Sequence, residues 1–125
     1  MILAGGEDTG GCLGLVRDVV PAGHRGPRLH LHPRFDEGFY VLDGELIFQL
    51  GDAVITVCAG ELALARRGVA HTFANRTDRD AQVLMFVTPS GFERYFADGA
   101  ARATPPDEET IVVGERMDDA PPASA

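Results

Sequence analysis

Short runs in which apolar and polar residues alternate recur along most of the chain. "CLGLVRDVV" (12–20) alternates and is followed by "PAGHRGPR" (21–28), a turn-rich stretch with two prolines and two glycines. "LHLH" (29–32) alternates again. "GFYVL" (38–42) and "ELIFQL" (45–50) flank Asp43-Gly44, and "AVITV" (53–57) follows the Gly51-Asp52 turn. "ELALA" (61–65) and "AHTFAN" (70–75) are short strand candidates, and "AQVLMFV" (81–87) is a nearly continuous apolar run. Many short strands divided by turn signals predict an all-β sandwich or barrel.

Asp-Gly between two alternating runs is a strong hairpin signal, a two-residue turn. With Asp43-Gly44 as that turn, Val41 pairs with Leu46 and Phe39 with Phe48. Counting by twos puts Glu37, Phe39, Val41, Leu46, Phe48 and Leu50 on one face, and Tyr40, Leu42, Glu45, Ile47 and Gln49 on the other. Near the end, "PSGFERYFADG" offers Ser90 as an N-cap with Glu93 three residues on. Phe92, Tyr95 and Phe96 form an apolar stripe and Gly99 a stop, which predicts one short C-terminal helix packed on the barrel. The chain thus divides into a barrel over 1–98, including the start of that helix, and an extension over 99–125. The extension is expected to be largely irregular from about 117, with "ETIVVGE" either a final strand or part of the tail.

Composition narrows the partners. The chain has 125 residues and a formal net charge of −8, which disfavours nucleic acid and anionic membrane surfaces as partners. No window approaches the ~20 apolar residues of a membrane span. The N-terminus lacks a signal-peptide pattern, so a cytoplasmic protein is expected. All 11 basic residues are arginine, which removes Schiff-base lysine chemistry. Cys12 and Cys58, the only cysteines, are expected to be buried reduced thiols.

The candidate chemistry lies in "HLHPRFDE". Glu37 projects toward the more apolar side of its strand, where an unpaired carboxylate is expensive. The same period of two sets His30 and His32 on one face. Two imidazoles and a carboxylate among Phe and Val call for a cation, and a fourth group should come from a distant strand. His71 is the candidate, since it opens a strand in which His71, Phe73 and Asn75 share a face. His24, the remaining histidine, sits in the Pro/Gly-rich loop and is expected to be solvated.

These spacings resemble the two cupin motifs. His30-x-His32, four residues, Glu37 and six more to Gly44 match the first motif. Its opening glycine is displaced, with Gly23 seven residues before His30. Gly60, Gly68, His71 and Asn75 match the second, with Arg66 where the motif has proline. The resemblance spans roughly residues 10 to 98 and is strongest to small single-domain cupins similar to quercetin dioxygenase, through "TPSGFERYF" as well. It implies a double-stranded β-helix, a jelly-roll barrel whose mouth holds one divalent transition metal on His30, His32, Glu37 and His71. Barrels of this family commonly pair through outer strands, which implies a homodimer, with Tyr40, Leu42 and Ile47 as outward contacts.

Three imidazoles and one carboxylate leave a divalent ion with one net positive charge and coordination room for water or substrate. Nitrogen and oxygen donors without sulfur suit Fe, Mn, Ni, Cu or Zn alike. Phe39, Phe48 and Phe73 are expected to line a narrow, dry pocket, and Arg28 to meet an anion at its mouth. A small, aromatic or anionic substrate would suit such a pocket. Three classes of function follow. One is a quercetinase-like oxygenase acting on an enolisable or phenolic substrate, with Glu37 as ligand and occasional base. Another is a non-redox cyclase, isomerase or lyase, for example a polyketide cyclase. The last is a barrel that binds a small molecule without chemistry.

Overall fold

The longer strand segments Gly14–Val20, Glu45–Leu50 and Ala81–Thr88 and the short Leu62–Ala65 alternate between buried and more exposed positions, and two sheets result. The computed structural model describes residues 1–96 and 110–117. Its strands are β1 (Ile2–Ala4), β2 (Gly14–Val20), β3 (His30–Leu31), β4 (Asp36–Asp43), β5 (Glu45–Leu50), β6 (Ala53–Cys58), β7 (Leu62–Ala65), β8 (His71–Ala74), β9 (Ala81–Thr88) and β10 (Ile111–Val112). One five-stranded sheet, sheet A, has the order β1-β2-β9-β4-β7; the other, sheet B, has the order β10-β3-β8-β5-β6. Every pairing is antiparallel. The expected all-β, double-stranded β-helix is what forms.

β9 shows how the period of two builds the core. Ala81, Val83, Met85 and Val87 are buried, while Gln82, Leu84, Phe86 and Thr88 between them are partly exposed. Phe39 and Val41 from β4, Leu46 and Phe48 from β5, and Ala63 from β7 meet them inside. Fully burying a side chain such as Phe48 contributes about 1.5–3 kcal/mol relative to leaving it in water.

The Asp43-Gly44 turn is not a hairpin. β4 lies between β7 and β9 in sheet A, and β5 lies between β6 and β8 in sheet B. Val41 pairs with Val83 rather than Leu46, and Leu46 pairs with Val57. Gly44, at φ 86°, turns the chain from one sheet to the other, and a Cβ there would lie 3.0 Å from the Ala81 backbone. A left-handed residue serves such a corner as well as a hairpin, so Asp-Gly fits both. The face assignment survives, because alternation belongs to the strand and not to its partner. Phe39 and Phe48 meet across the core, ring centroids 5.1 Å apart. The two-residue hairpin is Gly51-Asp52, which joins Leu50 to Ala53 with Gly51 at φ 60°.

The predicted C-terminal helix is a short 3-10 turn, Phe92–Phe96. Phe92 is buried in the core and Tyr95 packs against it, as the apolar stripe requires. In place of the Ser90–Glu93 capping box, the two residues bond to Gly11 and Gly6 far along the chain and to Gly91 nearby. The Ser90 N–H donates to the Gly11 carbonyl, while the buried Glu93 carboxylate accepts from the Gly6 and Gly91 N–H groups. Gly14 makes the room, since a Cβ there would lie 2.2 Å from Glu93 Oε1. A short α-helix, α1 (Gly6–Thr9), precedes this region, and neither it nor β1 is signalled by periodicity. Gly99, the Phe96 side chain and the tail beyond Met117 lie outside the described residues.

One further expectation changes, and one open reading is settled. Both cysteines are exposed rather than buried, Cys12 in the loop after α1 and Cys58 at the end of β6. "ETIVVGE" does supply a strand: β10 pairs with β3, setting Ile111 opposite Leu31 and Val112 opposite His30. Within the extension, Ile111–Val112 therefore belongs to sheet B. Among the described residues no helix is long and apolar enough to cross a membrane.

Candidate metal centre

β3 and β8 bring His30 and His71 together as direct cross-strand partners. His32 follows two positions later on the same face, and β4 supplies Glu37 from the opposite sheet. All four side chains are buried. The imidazole centroids lie 4.5 Å (His30–His71), 4.8 Å (His30–His32) and 5.0 Å (His32–His71) apart, and one nitrogen from each ring falls within 4.8 Å of the other two. Glu37 Oε2 is 3.5 Å from His32 Nε2, and Oε1 is 3.8 Å from His71 Nε2. Those separations are too long for hydrogen bonds.

The other ring nitrogens fix the tautomers. His30 Nδ1 is 2.6 Å from the Arg28 carbonyl and His71 Nδ1 is 3.0 Å from the Val69 carbonyl. A carbonyl only accepts, so each Nδ1 must carry the proton and each Nε2 presents a lone pair. Burial, with His30 nearby, pushes the His71 imidazole down to about 4, and burial likewise lowers His30. Burial thus favours the neutral form of His30 and His71, the state in which histidine binds metal. Burial also pushes the Glu37 carboxyl up to about 8. Among the described residues, Glu37 Oε2 and His71 Nε2 are buried with no hydrogen-bond partner. Lone pairs directed at lone pairs in a dry interior are unfavourable unless a proton or a cation lies among them. The four residues fit a divalent transition metal.

Aromatic rings wall one side. Phe35 stacks on His32 with centroids 4.4 Å apart, and Phe92 lies 4.8 Å from the same ring. Phe39, Phe48 and Phe73 pack on one another at 5.1 to 5.7 Å, the first two buried and Phe73 partly so. The Arg28 side chain is half exposed at the surface: its Nε donates to the Gly114 carbonyl and its guanidinium pairs with Glu115. Arg28 serves the centre through its carbonyl instead. His24 is exposed, and its Nδ1 accepts from the Gly26 N–H. Asn75 is buried and bonds backbone, donating to the Val20 and Arg79 carbonyls.

Periodicity marks Phe92 as a packing residue but not its place beside His32, and it does not point to Phe35 or to Thr110, whose Oγ1 lies 3.3 Å from His32 Nδ1. The two carbonyls had a usable signal. Arg28 and Val69 each stand two residues before a ligand, and their carbonyls lie beside the ring that follows.

The sequence profile of the cupin domain family matches residues 16–87, more than half of the chain. The chain belongs to the cupins. None of the curated proteins matches its sequence. Solved structures of the same fold include KdgF from Halomonas sp., at 20% identity over 75% of this chain and 80% of that one, with a TM-score of 0.66. A predicted oxalate decarboxylase from Thermotoga maritima shares 24% identity over 70% of this chain and 76% of its own, also at 0.66. A sugar phosphate isomerase of the cupin superfamily from Silicibacter pomeroyi shares 27% over 70% and 57%, at 0.58. At these identities the likeness speaks for this cupin's fold.

Proposed function

We propose that this cupin is a metal-dependent enzyme acting on a small anionic oxygen donor, with quercetinase-like oxygenation of an enolisable or phenolic substrate as its chemistry. One observation carries the reading: a buried Glu37 carboxylate oxygen with no hydrogen-bond partner among the described residues faces buried imidazoles whose tautomers present lone pairs. His30, His32, His71 and Glu37 would hold the ion, which would supply positive charge for a substrate oxyanion and, if redox-active, a route to O2. Three neutral rings and one carboxylate neutralise half the charge of a divalent ion, so an enolate, phenolate or carboxylate is the matching ligand. Phe35 and Phe92 keep water from the His32 side. Glu37 is the acid of the cluster and the group placed to take or give a proton there.

A second reading, non-redox isomerase, lyase or cyclase chemistry, is favoured by the donor set itself, which suits Zn as well as Fe. The test loads separate samples with Fe(II), Mn(II), Ni(II), Cu(II) or Zn(II) and follows oxygen uptake with flavonols, other enolisable aromatics and oxalate. Metal-dependent oxygen consumption supports the oxygenase. Turnover without it moves the function to the second reading, and saturable binding without turnover contradicts both.

We also propose a homodimer through the outer face of sheet A. Leu62, Tyr40 and Leu84 form one row across this face beside Arg17, and Leu64, Phe86 and Leu15 form the next around Gly38. These rows carry no carboxylate. In a chain of net charge −8, two copies meet there with little charge repulsion. Ile47, which belongs to sheet B, lies off this surface.

A further inference from the structure

Each imidazole of the centre has its remote nitrogen close to a fixed oxygen, but the oxygens come from different places. For His30 and His71 the carbonyl lies two residues earlier on the same segment. For His32 a Thr110 hydroxyl stands 3.3 Å from Nδ1, 78 residues away and beyond the span matched by the cupin profile.

The segment carrying Thr110 is stitched along the strand that bears the ligands. After β10 pairs with β3, the Val113 and Gly114 N–H groups donate to the Leu29 carbonyl at 2.8 and 3.1 Å. The Leu29 N–H donates to the Glu115 carbonyl at 3.0 Å, and Arg116 Nε to the Gly26 carbonyl at 3.0 Å. Met117 is buried at its end. β3 is two residues long with β8 on its other flank, so without this segment the ligand strand would form the edge of sheet B.

Resting on the metal reading above, we propose that Thr110 is a positioning residue for His32 and that residues 110–117 form a strap completing the metal centre. With Nε2 directed at the ion, Nδ1 carries the proton and donates to Thr110 Oγ1, which fixes the ring's rotation and tautomer. Hydrogen-bond partners of ligating histidines commonly change metal affinity ten- to a hundredfold when removed. Docking of the strap and loading of the metal then favour one another.

The test compares wild type, Thr110→Val, which keeps the shape and loses the hydroxyl, and Thr110→Ser, which keeps the hydroxyl. Co(II) serves as the probe, with its dissociation constant and visible absorption spectrum as readouts, beside the melting temperature in chelator. The expected result is a Co(II) affinity about tenfold or more weaker and an altered spectrum in Thr110→Val. Melting in chelator should stay unchanged, and Thr110→Ser should restore both readouts. Hydrogen exchange at Val113 and Gly114 should slow when Co(II) is added to the wild type. Equal affinity and spectrum in Thr110→Val would overturn the proposal. So would a Thr110→Ser as weak as Thr110→Val, or a loss of metal-free stability that accounts for the affinity change. No Co(II) uptake by the wild type would instead overturn the metal reading and this proposal with it.

Discussion

Glu37 meets opposite demands in the metal-free and metal-bound protein. Without the ion, burial holds its proton up to about pH 8, while the unfolded chain releases it near 4.5. The folded state then binds more protons across that window, so stability falls as pH rises through it, by at most about 1.4 kcal/mol per pH unit. His71 acts in the other direction. Its folded value of about 4 lies below the unfolded 6.5, so the unfolded state takes up the proton first and stability falls as pH drops from 6.5 toward 4. The two slopes oppose each other between 4.5 and 6.5. His30, lowered by burial as well, adds to the loss on the acid side, so metal-free protein should show its highest urea midpoint near pH 6.5 and a decline on both sides. Glu37→Gln should flatten the alkaline decline and weaken metal binding. A wild-type midpoint that stays level from pH 6.5 to 8 in chelator would contradict this account of the carboxyl. The residues that make this chemistry were readable, because a spacing of two on a strand places His30 and His32 side by side whatever the strand pairs with. Thr110 and Phe35 were not. Their contacts depend on how distant segments return to the site, and no local pattern encodes that.

At the scale of elements, alternation predicts which side chains face inward but not which strands are neighbours. Phe39, Val41, Leu46 and Phe48 are all buried as counted, yet β4 and β5 lie in different sheets. Asp43-Gly44 supplies only a left-handed turn, and the choice between hairpin and corner is made by β9, which pairs with β4 from Asp36 to Asp43. Gly44→Ala tests the corner. The new Cβ would meet the Ala81 backbone at 3.0 Å at a φ of 86°, two costs that together amount to roughly 1–3 kcal/mol. A lowered urea midpoint with an unchanged m-value is the expected outcome, and a loss below about 0.5 kcal/mol would mean that the corner relaxes freely. The buried Glu93 shows the complementary lesson. Its spacing from Ser90 reads as a local cap, whereas the space left by Gly14 draws it inward to Gly6 and Gly91.

The whole molecule separates a dry interior holding the candidate centre from an outer apolar face on sheet A. Leu62, half exposed on the edge strand β7, belongs to that face and lies away from the buried core. Light scattering should give about twice the 13.3 kDa chain mass for the wild type and a single chain mass for Leu62→Glu. A monomeric wild type, or a Leu62→Glu that remains dimeric, would contradict the proposed interface. The overall barrel was legible because strands, turns and both cupin motifs agree along roughly the same stretch. The return of residues 110–117 onto β3 was less so, since a two-residue strand leaves almost no period to read.

The central claim is that His30, His32, Glu37 and His71 form one metal centre, and metal content per chain tests it most directly. Protein purified without added metal or chelator should carry close to one equivalent of a transition metal by inductively coupled plasma mass spectrometry, and His71→Ala should lose it. Metal absent from the wild type, with none taken up on titration, would contradict the claim, and so would a full equivalent retained by His71→Ala.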